Sequence, residues 1–142
     1  MFTIRLFFII FISSQLFSQE LSPIQSFEMD DYNASGQNWM ISQSNDGDMF
    51  FANNDGLLVY NGKKWYSYGS LNNTIIRSVN FINDKVYTGE NTDFGFWLRQ
   101  KNGSYIYTSI PNKYNFPLLE DEEFWNILEF RNWIVFQSLN RF

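Results

Sequence analysis

The sequence has 142 residues, 44% of them hydrophobic, and a formal net charge of −5 at pH 7. This composition predicts a folded domain with a packed core. Nucleic acid is not an expected partner of this segment, because such binding draws its affinity from clustered lysine and arginine. The chain contains no cysteine and no histidine, so a disulfide framework, a thiol nucleophile and the commonest general base and metal ligand are excluded. We therefore expect no enzyme activity, no catalytic residue, no metal site and no cofactor.

The first 18 residues have the pattern of a secretory signal peptide, which would form a helix. Arg5 precedes an apolar run, Leu6–Ile12, that is too short to span a bilayer, since spanning takes about 20 apolar residues. Ser18 is a small residue suited to the position before a cleavage site. Removing residues 1–18 deletes Arg5 and brings the net charge from −5 to −6. We expect an exported protein, periplasmic or extracellular; a buried N-terminal strand is the alternative.

Residues 19–142 are predicted to be all-β, because short runs rich in aromatic and β-branched residues alternate with Asn, Asp and Gly. The first four runs are Trp39–Gln43, Met49–Asn53, Leu57–Tyr60 and Lys64–Tyr68. Asp-Gly or Asn-Gly pairs separate these runs and favour type I′ hairpins, which require positive φ angles. The pattern predicts a four-stranded antiparallel meander over residues 37–69.

The same order of runs recurs along the chain. A second meander is predicted over residues 75–110, with runs Arg77–Ile82, Lys85–Gly89, Phe94–Arg99 and Tyr105–Ile110, and a third over residues 123–142, with runs Phe124–Phe130 and Trp133–Ser138. When the second runs are aligned, Phe51 corresponds to Tyr87 and to Phe136. The offset is 36 residues from Phe51 to Tyr87 and 49 residues from Tyr87 to Phe136, and the larger offset contains an inserted loop over residues 111–123. Four strands repeated about every 40 residues indicate a partial β-propeller of about three blades, the third incomplete. A β-sandwich is the alternative.

Several stretches resemble a known family. They are Gly36–Gln43, Phe50–Gly62 with its Phe-Ala-Asn-Asn-Asp-Gly-Leu-Leu block, Trp65, Ile76–Val79, Val86–Gly89, Phe94–Phe96 and Val135–Ser138. Together they are similar to the two-component regulator propeller repeats of membrane-anchored sensor-regulators from Bacteroidetes.

The resemblance implies a periplasmic propeller that senses a ligand. In the family, further blades, an immunoglobulin-like domain, a transmembrane helix and a cytoplasmic output domain follow the propeller, and the output is a LuxR-type DNA-binding domain or a histidine kinase. This chain ends within the third blade, so we expect a fragment without an output domain. Its expected partners are a small solute or glycan and the missing C-terminal blades of the same propeller, and it would meet the membrane only through an absent C-terminal helix.

Arg77 is the candidate ligand-binding residue. It begins a strand expected to be innermost, near the central channel where propellers hold ligands. The alternative role is a structural bond to a neighbouring blade. Most aromatic residues are expected to pack between blades. The members of this set are Trp39, Phe51, Tyr60, Tyr87, Phe96, Trp125 and Phe136.

Other features have a weaker claim to function. Trp65, Tyr66 and Tyr68 lie on the outer strand of the first blade, where one face is solvated. The acidic run 120–123 could provide calcium ligands or a glycosidase carboxylate pair, but a solvated loop is the expected structure. The segment 45–48 is expected to be a turn, because it lacks the downstream Glu of a calcium loop.

The leading hypothesis is the ligand-sensing segment of a membrane-anchored transcriptional regulator. The alternatives are the propeller portion of an exported carbohydrate-active enzyme and a glycan-binding or adhesion protein. Because three blades cannot close a ring, residues 19–142 alone are expected to be poorly soluble or to associate through open edges.

Overall fold

A computed structural model describes residues 22–141 and shows an all-β protein with three antiparallel sheets. The predicted signal peptide lies outside the described residues. The elements in chain order are α1 (Met29–Tyr32), β1 (Asn38–Gln43), β2 (Met49–Asn53), β3 (Gly56–Tyr60), β4 (Trp65–Tyr68), β5 (Ile76–Ile82), β6 (Lys85–Glu90), β7 (Phe94–Arg99), β8 (Tyr105–Ser109), α2 (Ile110–Tyr114), β9 (Phe124–Phe130) and β10 (Trp133–Ser138).

The sheets follow the order of the chain. The first sheet consists of β1–β4, the second of β5–β8 and the third of β9 and β10, and every strand pairs with its sequence neighbour. All ten predicted strands are confirmed to within one residue at each end. The two predicted four-stranded meanders are therefore present, and the third has two strands within residues 22–141.

The turn geometry differs from the prediction. Type I′ turns need positive φ at both central residues, and among the hairpin turns this occurs at Asn83 (φ 48°) and Asp84 (φ 62°). The three turns of the first sheet each have positive φ at a single glycine instead, namely Gly47, Gly56 and Gly62. The type I′ prediction was wrong for these three turns, although each hairpin forms where it was expected.

Two short helices were not predicted. Helix α2 occupies the start of the segment expected to be an inserted loop. It begins after Ser109, whose hydroxyl accepts a hydrogen bond from the Asn112 backbone N–H at 3.2 Å, and Pro111 stands in its first turn. Both features favour a helix start. A helix of one turn gives too little periodicity to detect in a sequence.

The sheets pack face to face in chain order, and each has a leading face toward the next sheet and a trailing face toward the previous one. Phe50 on the leading face of the first sheet packs against Val79 and Val86 on the trailing face of the second. Tyr87 on the leading face of the second sheet packs against Ile127 on the trailing face of the third. Each face is apolar because side chains alternate between the two faces of a strand.

A β-bulge interrupts the first strand of every sheet at an equivalent position. The pairing skips Trp39 in β1, Arg77 in β5 and Trp125 in β9, so these three residues are the bulged ones. The three sheets can be aligned on their bulges. In this alignment, Phe51 of the first sheet corresponds to Thr88 of the second and to Phe136 of the third. The sequence alignment of the second strands was thus displaced by one residue in the second sheet, where it had used Tyr87.

The third sheet lies close to the second at Gly89, which is opposite Ser78 in the ladder. A Cβ atom at Gly89 would lie 2.5 Å from Ser78 Oγ and 2.7 Å from the Phe124 carbonyl oxygen. Gly89→Ala is therefore expected to lower the free energy of unfolding by about 1–3 kcal/mol, as overpacked cores do. Urea unfolding measures the change. The control is Gly69→Ala, since no atom lies within 4 Å of a Cβ there, and equal stability of both variants would contradict the prediction.

Candidate functional site

The three bulged residues form one cluster, because the first strands of the three sheets are neighbours. The Arg77 guanidinium lies between two indole rings, with Cζ 4.4 Å from the ring centroid of Trp39 and 4.8 Å from that of Trp125. The two indoles meet edge to face at 5.8 Å. Bulges re-aim side chains and are common next to functional sites. Here they bring a cation and two aromatic rings together, and we call this group with Glu123 the bulge cluster.

Polar contacts fix the bulge cluster. Arg77 Nη2 donates to Glu123 Oε1 at 3.2 Å, which is an ion pair between two largely buried side chains. Trp39 Nε1 donates to Asn54 Oδ1 at 2.8 Å, so its ring orientation is set from the first sheet. Cation–π contacts of this kind stabilise by about 0.5–2 kcal/mol each, depending on desolvation. Arg77 thus contacts residues of both neighbouring sheets, Trp39 and Trp125, which is the structural role given as the alternative to ligand binding.

The bulge cluster also has features of a binding site. Arg77 Nε and Trp125 Nε1 are buried N–H donors with no hydrogen-bond partner within residues 22–141. A buried donor without a partner costs about 1–3 kcal/mol, so an acceptor that gains access to these N–H groups by displacing a neighbouring side chain would recover this energy. Trp39, which was expected to pack between blades, packs edge to face on Trp125 of the third sheet but is 41% exposed. Its indole offers a surface on which a flat apolar ligand can stack.

The expectation of a solvated loop holds for the first half of the acidic run, where Glu120 and Asp121 are exposed, but not for its second half. Glu122 is buried and forms a bidentate pair with Arg141, with Nε–Oε1 at 2.7 Å and Nη2–Oε2 at 2.6 Å. Ser138 Oγ also donates to this carboxylate at 2.8 Å. These contacts, the Arg141 hydrogen bonds first, lower the pKa of Glu122 to about 2. Because Glu123 is paired to Arg77, both carboxylates in the second half of the run form ion pairs.

A second polar cluster lies inside the second sheet. Glu90 is fully buried at the end of β6, and Asp93 at the following turn is 2% exposed. Asp93 accepts hydrogen bonds from Ser109 Oγ at 2.7 Å and from Tyr107 Oη at 3.2 Å. Glu90 has a single long hydrogen bond, from Thr74 Oγ1 at 3.4 Å to Oε2, while Oε1 has no partner in the described part of the chain.

The surroundings of this cluster favour the protonated form of its carboxyl groups. Burial, and next the nearby Asp93 carboxyl, raise the pKa of Glu90 to about 8. Burial likewise raises the pKa of Asp93 and that of Tyr107. This cluster was not predicted from the sequence. The strand register holds a sign that Glu90 is buried. Glu90 is equivalent to Asn53 in the first sheet and to Ser138 in the third, and both of these residues are buried and hydrogen-bonded.

The aromatic residues of β4 point to opposite faces. Tyr66 and Tyr68 line an open polar cleft of about 360 Å³ together with Arg99 and Tyr105. Arg99 Nη1 lies 3.1 Å from Asp46 Oδ2 and 3.4 Å from Asp48 Oδ2, so the 45–48 turn is tied to the second sheet. Trp65 lies on the other face, where Phe27 packs edge-on against it at 5.2 Å. The three residues therefore do not form one surface.

Metal ligands and membrane-spanning helices are two further features to consider in residues 22–141. This part of the chain contains no cluster of three or more His, Cys, Asp or Glu side chains that could hold a metal ion. It also contains no helix long and apolar enough to cross a membrane. The bulge cluster is thus the described feature that best combines exposed aromatic surface, charge and unpaired donors.

Comparison of the chain with protein-family models, curated proteins and solved structures gave no match.

Proposed function

We propose that the chain is the N-terminal part of a β-propeller that binds a small ligand at the bulge cluster. The observation that carries the proposal is that the first strands of three successive sheets lie side by side, each with a bulge at the same register position. Propeller blades meet in this way around an axis, with their first strands innermost. In this interpretation the three sheets are consecutive blades, and Trp39, Arg77 and Trp125 face the axis.

The chemistry of the bulge cluster defines the ligand class. An exposed indole at Trp39 suits a ligand with a flat apolar face, and the unpaired N–H groups of Arg77 and Trp125 suit a hydrogen-bond acceptor beside that face. A small ring-shaped solute or a glycan unit has both. The proposed role is recognition, in which the ligand completes the hydrogen bonds of the cluster.

In the cell, the ligand-bound propeller is proposed to act as the sensor of a membrane-anchored transcriptional regulator. The support for this is the similarity of the sequence to two-component regulator propeller repeats, together with the signal-peptide pattern of residues 1–18, which would place the sensor in the periplasm.

Tryptophan emission provides the test, because two of the five tryptophans stand in the bulge cluster. The protein is titrated with neutral mono- and disaccharides and with small carboxylates. We expect a saturable change in emission with at least one of these probes. Arg77→Met and Trp39→Ala are each expected to weaken that binding at least tenfold, which corresponds to the loss of about 1.4 kcal/mol.

The control is Tyr114→Ala on the exposed side of α2, which should bind like the parent chain. Circular dichroism establishes that each variant is folded. The proposal is wrong if no probe changes the emission, or if Arg77→Met binds the active probe as tightly as the parent.

A further inference from the structure

The interface between neighbouring sheets is built twice within the chain from equivalent positions. On the leading faces, Phe50 of the first sheet corresponds to Tyr87 of the second. On the trailing faces, Val79 of the second sheet corresponds to Ile127 of the third, and both are almost fully buried, at 1% and 3% exposure. One kind of sheet–sheet contact is therefore repeated in a head-to-tail order.

The leading face of the third sheet has the same character but is uncovered within residues 22–141. Leu128, Phe130 and Trp133 lie on it with exposures of 55%, 60% and 71%. Phe130 occupies the register position of Ile82, which is buried by the third sheet. This face thus presents apolar side chains where the preceding sheet uses equivalent ones to bind its neighbour.

The complementary surface is on the first sheet. Ile41 on its trailing face corresponds to Val79 and Ile127, yet it is 55% exposed. The outer part of the same face, at β3 and β4, is covered, because Phe27 packs on Tyr60 at 5.1 Å and on Trp65 at 5.2 Å. Within residues 22–141, the half of this face formed by β1 and β2 has no such cover.

The two open surfaces match in size. The third sheet consists of two strands, β9 and β10, and the uncovered half of the first sheet is also formed by two strands. These pairs are equivalent in register, each with its bulge at the same place. A second copy of the chain could therefore repeat the internal contact without moving residues 27–32.

We propose that the chain associates with itself head to tail, with the leading face of the third sheet of one copy on the β1–β2 half of the first sheet of another. This goes beyond the proposed function and does not depend on a ligand. Such a contact is heterologous, since two different surfaces meet. A dimer formed in this way still presents one leading face of a third sheet and one β1–β2 surface for further copies.

The intermolecular contact should be apolar. In the internal interfaces, Ser42 accepts a hydrogen bond from the Phe81 backbone N–H at 2.9 Å, and Asn80 donates to the Ile127 carbonyl at 3.0 Å. Leu128 occupies the equivalent position in the third sheet and makes no such bond. The association is thus expected to persist in high salt, because apolar burial is not screened as exposed ion pairs are.

Sedimentation velocity over a range of protein concentrations tests the proposal on the whole chain. The parent protein is expected to show reversible association. Ile41→Glu and Leu128→Glu each remove one of the two surfaces, so each variant alone should be monomeric. A 1:1 mixture of the two is expected to form a heterodimer, since each variant keeps the surface that the other has lost.

The mixing step separates this contact from a symmetric one, which the mixture could not restore. Tyr114→Glu on exposed α2 is the control and should associate like the parent. Trp133→Lys provides a second variant of the same face should Leu128→Glu fail to fold. The proposal is overturned if the parent is monomeric at all concentrations, if either surface variant associates like the parent, or if the mixture stays monomeric. Ligand titrations of the monomeric variants still report on the bulge cluster, so the two proposals fail independently.

Discussion

Replacing Glu90 with glutamine is expected to raise the free energy of unfolding on the order of 4 kcal/mol at pH 8.5 and to change it little at pH 4. The buried carboxyl has a pKa of about 8 in the fold against an ordinary value of 4.5. Below pH 4.5 it is protonated in both the folded and the unfolded chain. As the pH rises from there to about 8, the unfolded chain loses the proton and the folded chain keeps it, so stability falls throughout this window.

The groups that face Glu90 identify the cause. They are the carboxyl of Asp93, the phenol of Tyr107 and the hydroxyls of Thr74 and Ser70. None of them is a cation that could balance a carboxylate. Glutamine keeps the shape of the side chain without a titratable proton, so the variant should lose the pH-dependent part of the stability.

Urea unfolding at several pH values between 4 and 8.5 measures the effect. Glu120→Gln, at an exposed position in the 120–123 segment, is the matched control and should leave the pH profile of the parent unchanged. If the Glu90→Gln variant shows the same fall in stability between pH 4.5 and 8 as the parent, the buried carboxyl is not the source of that fall.

Replacing Phe50 with alanine is expected to destabilise the fold by about 3–5 kcal/mol, the range for a large aromatic residue removed from a core. Phe50 is fully buried between the first two sheets. Its ring stacks parallel to Phe81 at 5.8 Å and meets Tyr105 edge to face at 5.7 Å. Removing it leaves a cavity at the centre of this interface, because the rigid sheets on both sides can close only in part.

Chemical denaturation should show this loss as a lower midpoint with little change in slope. Tyr114→Ala removes an aromatic side chain of similar size from an exposed position and should cost less than 1 kcal/mol. If Phe50→Ala lowered the free energy of unfolding by less than 1 kcal/mol, the contact between the first two sheets would not stabilise the fold as described.

The bulge cluster depends on the packing of the three sheets. Trp39, Arg77 and Trp125 belong to three different sheets, so the bulge cluster exists only while the leading and trailing faces stay packed. A core variant such as Phe50→Ala is therefore also expected to loosen the cluster. For this reason, the folding of each variant used in the ligand-binding test is verified separately.

The strand bounds were predictable because the signals for them are local. Alternating aromatic and β-branched residues mark a strand, and Asn, Asp and Gly mark its ends, so β9 was identified as Phe124–Phe130 from the sequence. Arg77 was likewise singled out because its strand begins a repeat unit. The exact turn type was not predictable, since Asn54 and Asp55 can join two strands without the positive φ angles that Asn83 and Asp84 adopt.

By itself, the sequence determined the all-β class, the ten strands and their order, because period-two patterning and turn chemistry act over a few residues. Only the tertiary structure decided which charges are buried and which residues meet. Glu122 was expected in solvent, but Arg141, 19 positions later, neutralises it in the fold. The bulges that bring Trp39, Arg77 and Trp125 together depend on how each strand pairs with the next. No local pattern records such long-range contacts, since their energy arises only when the sheets pack.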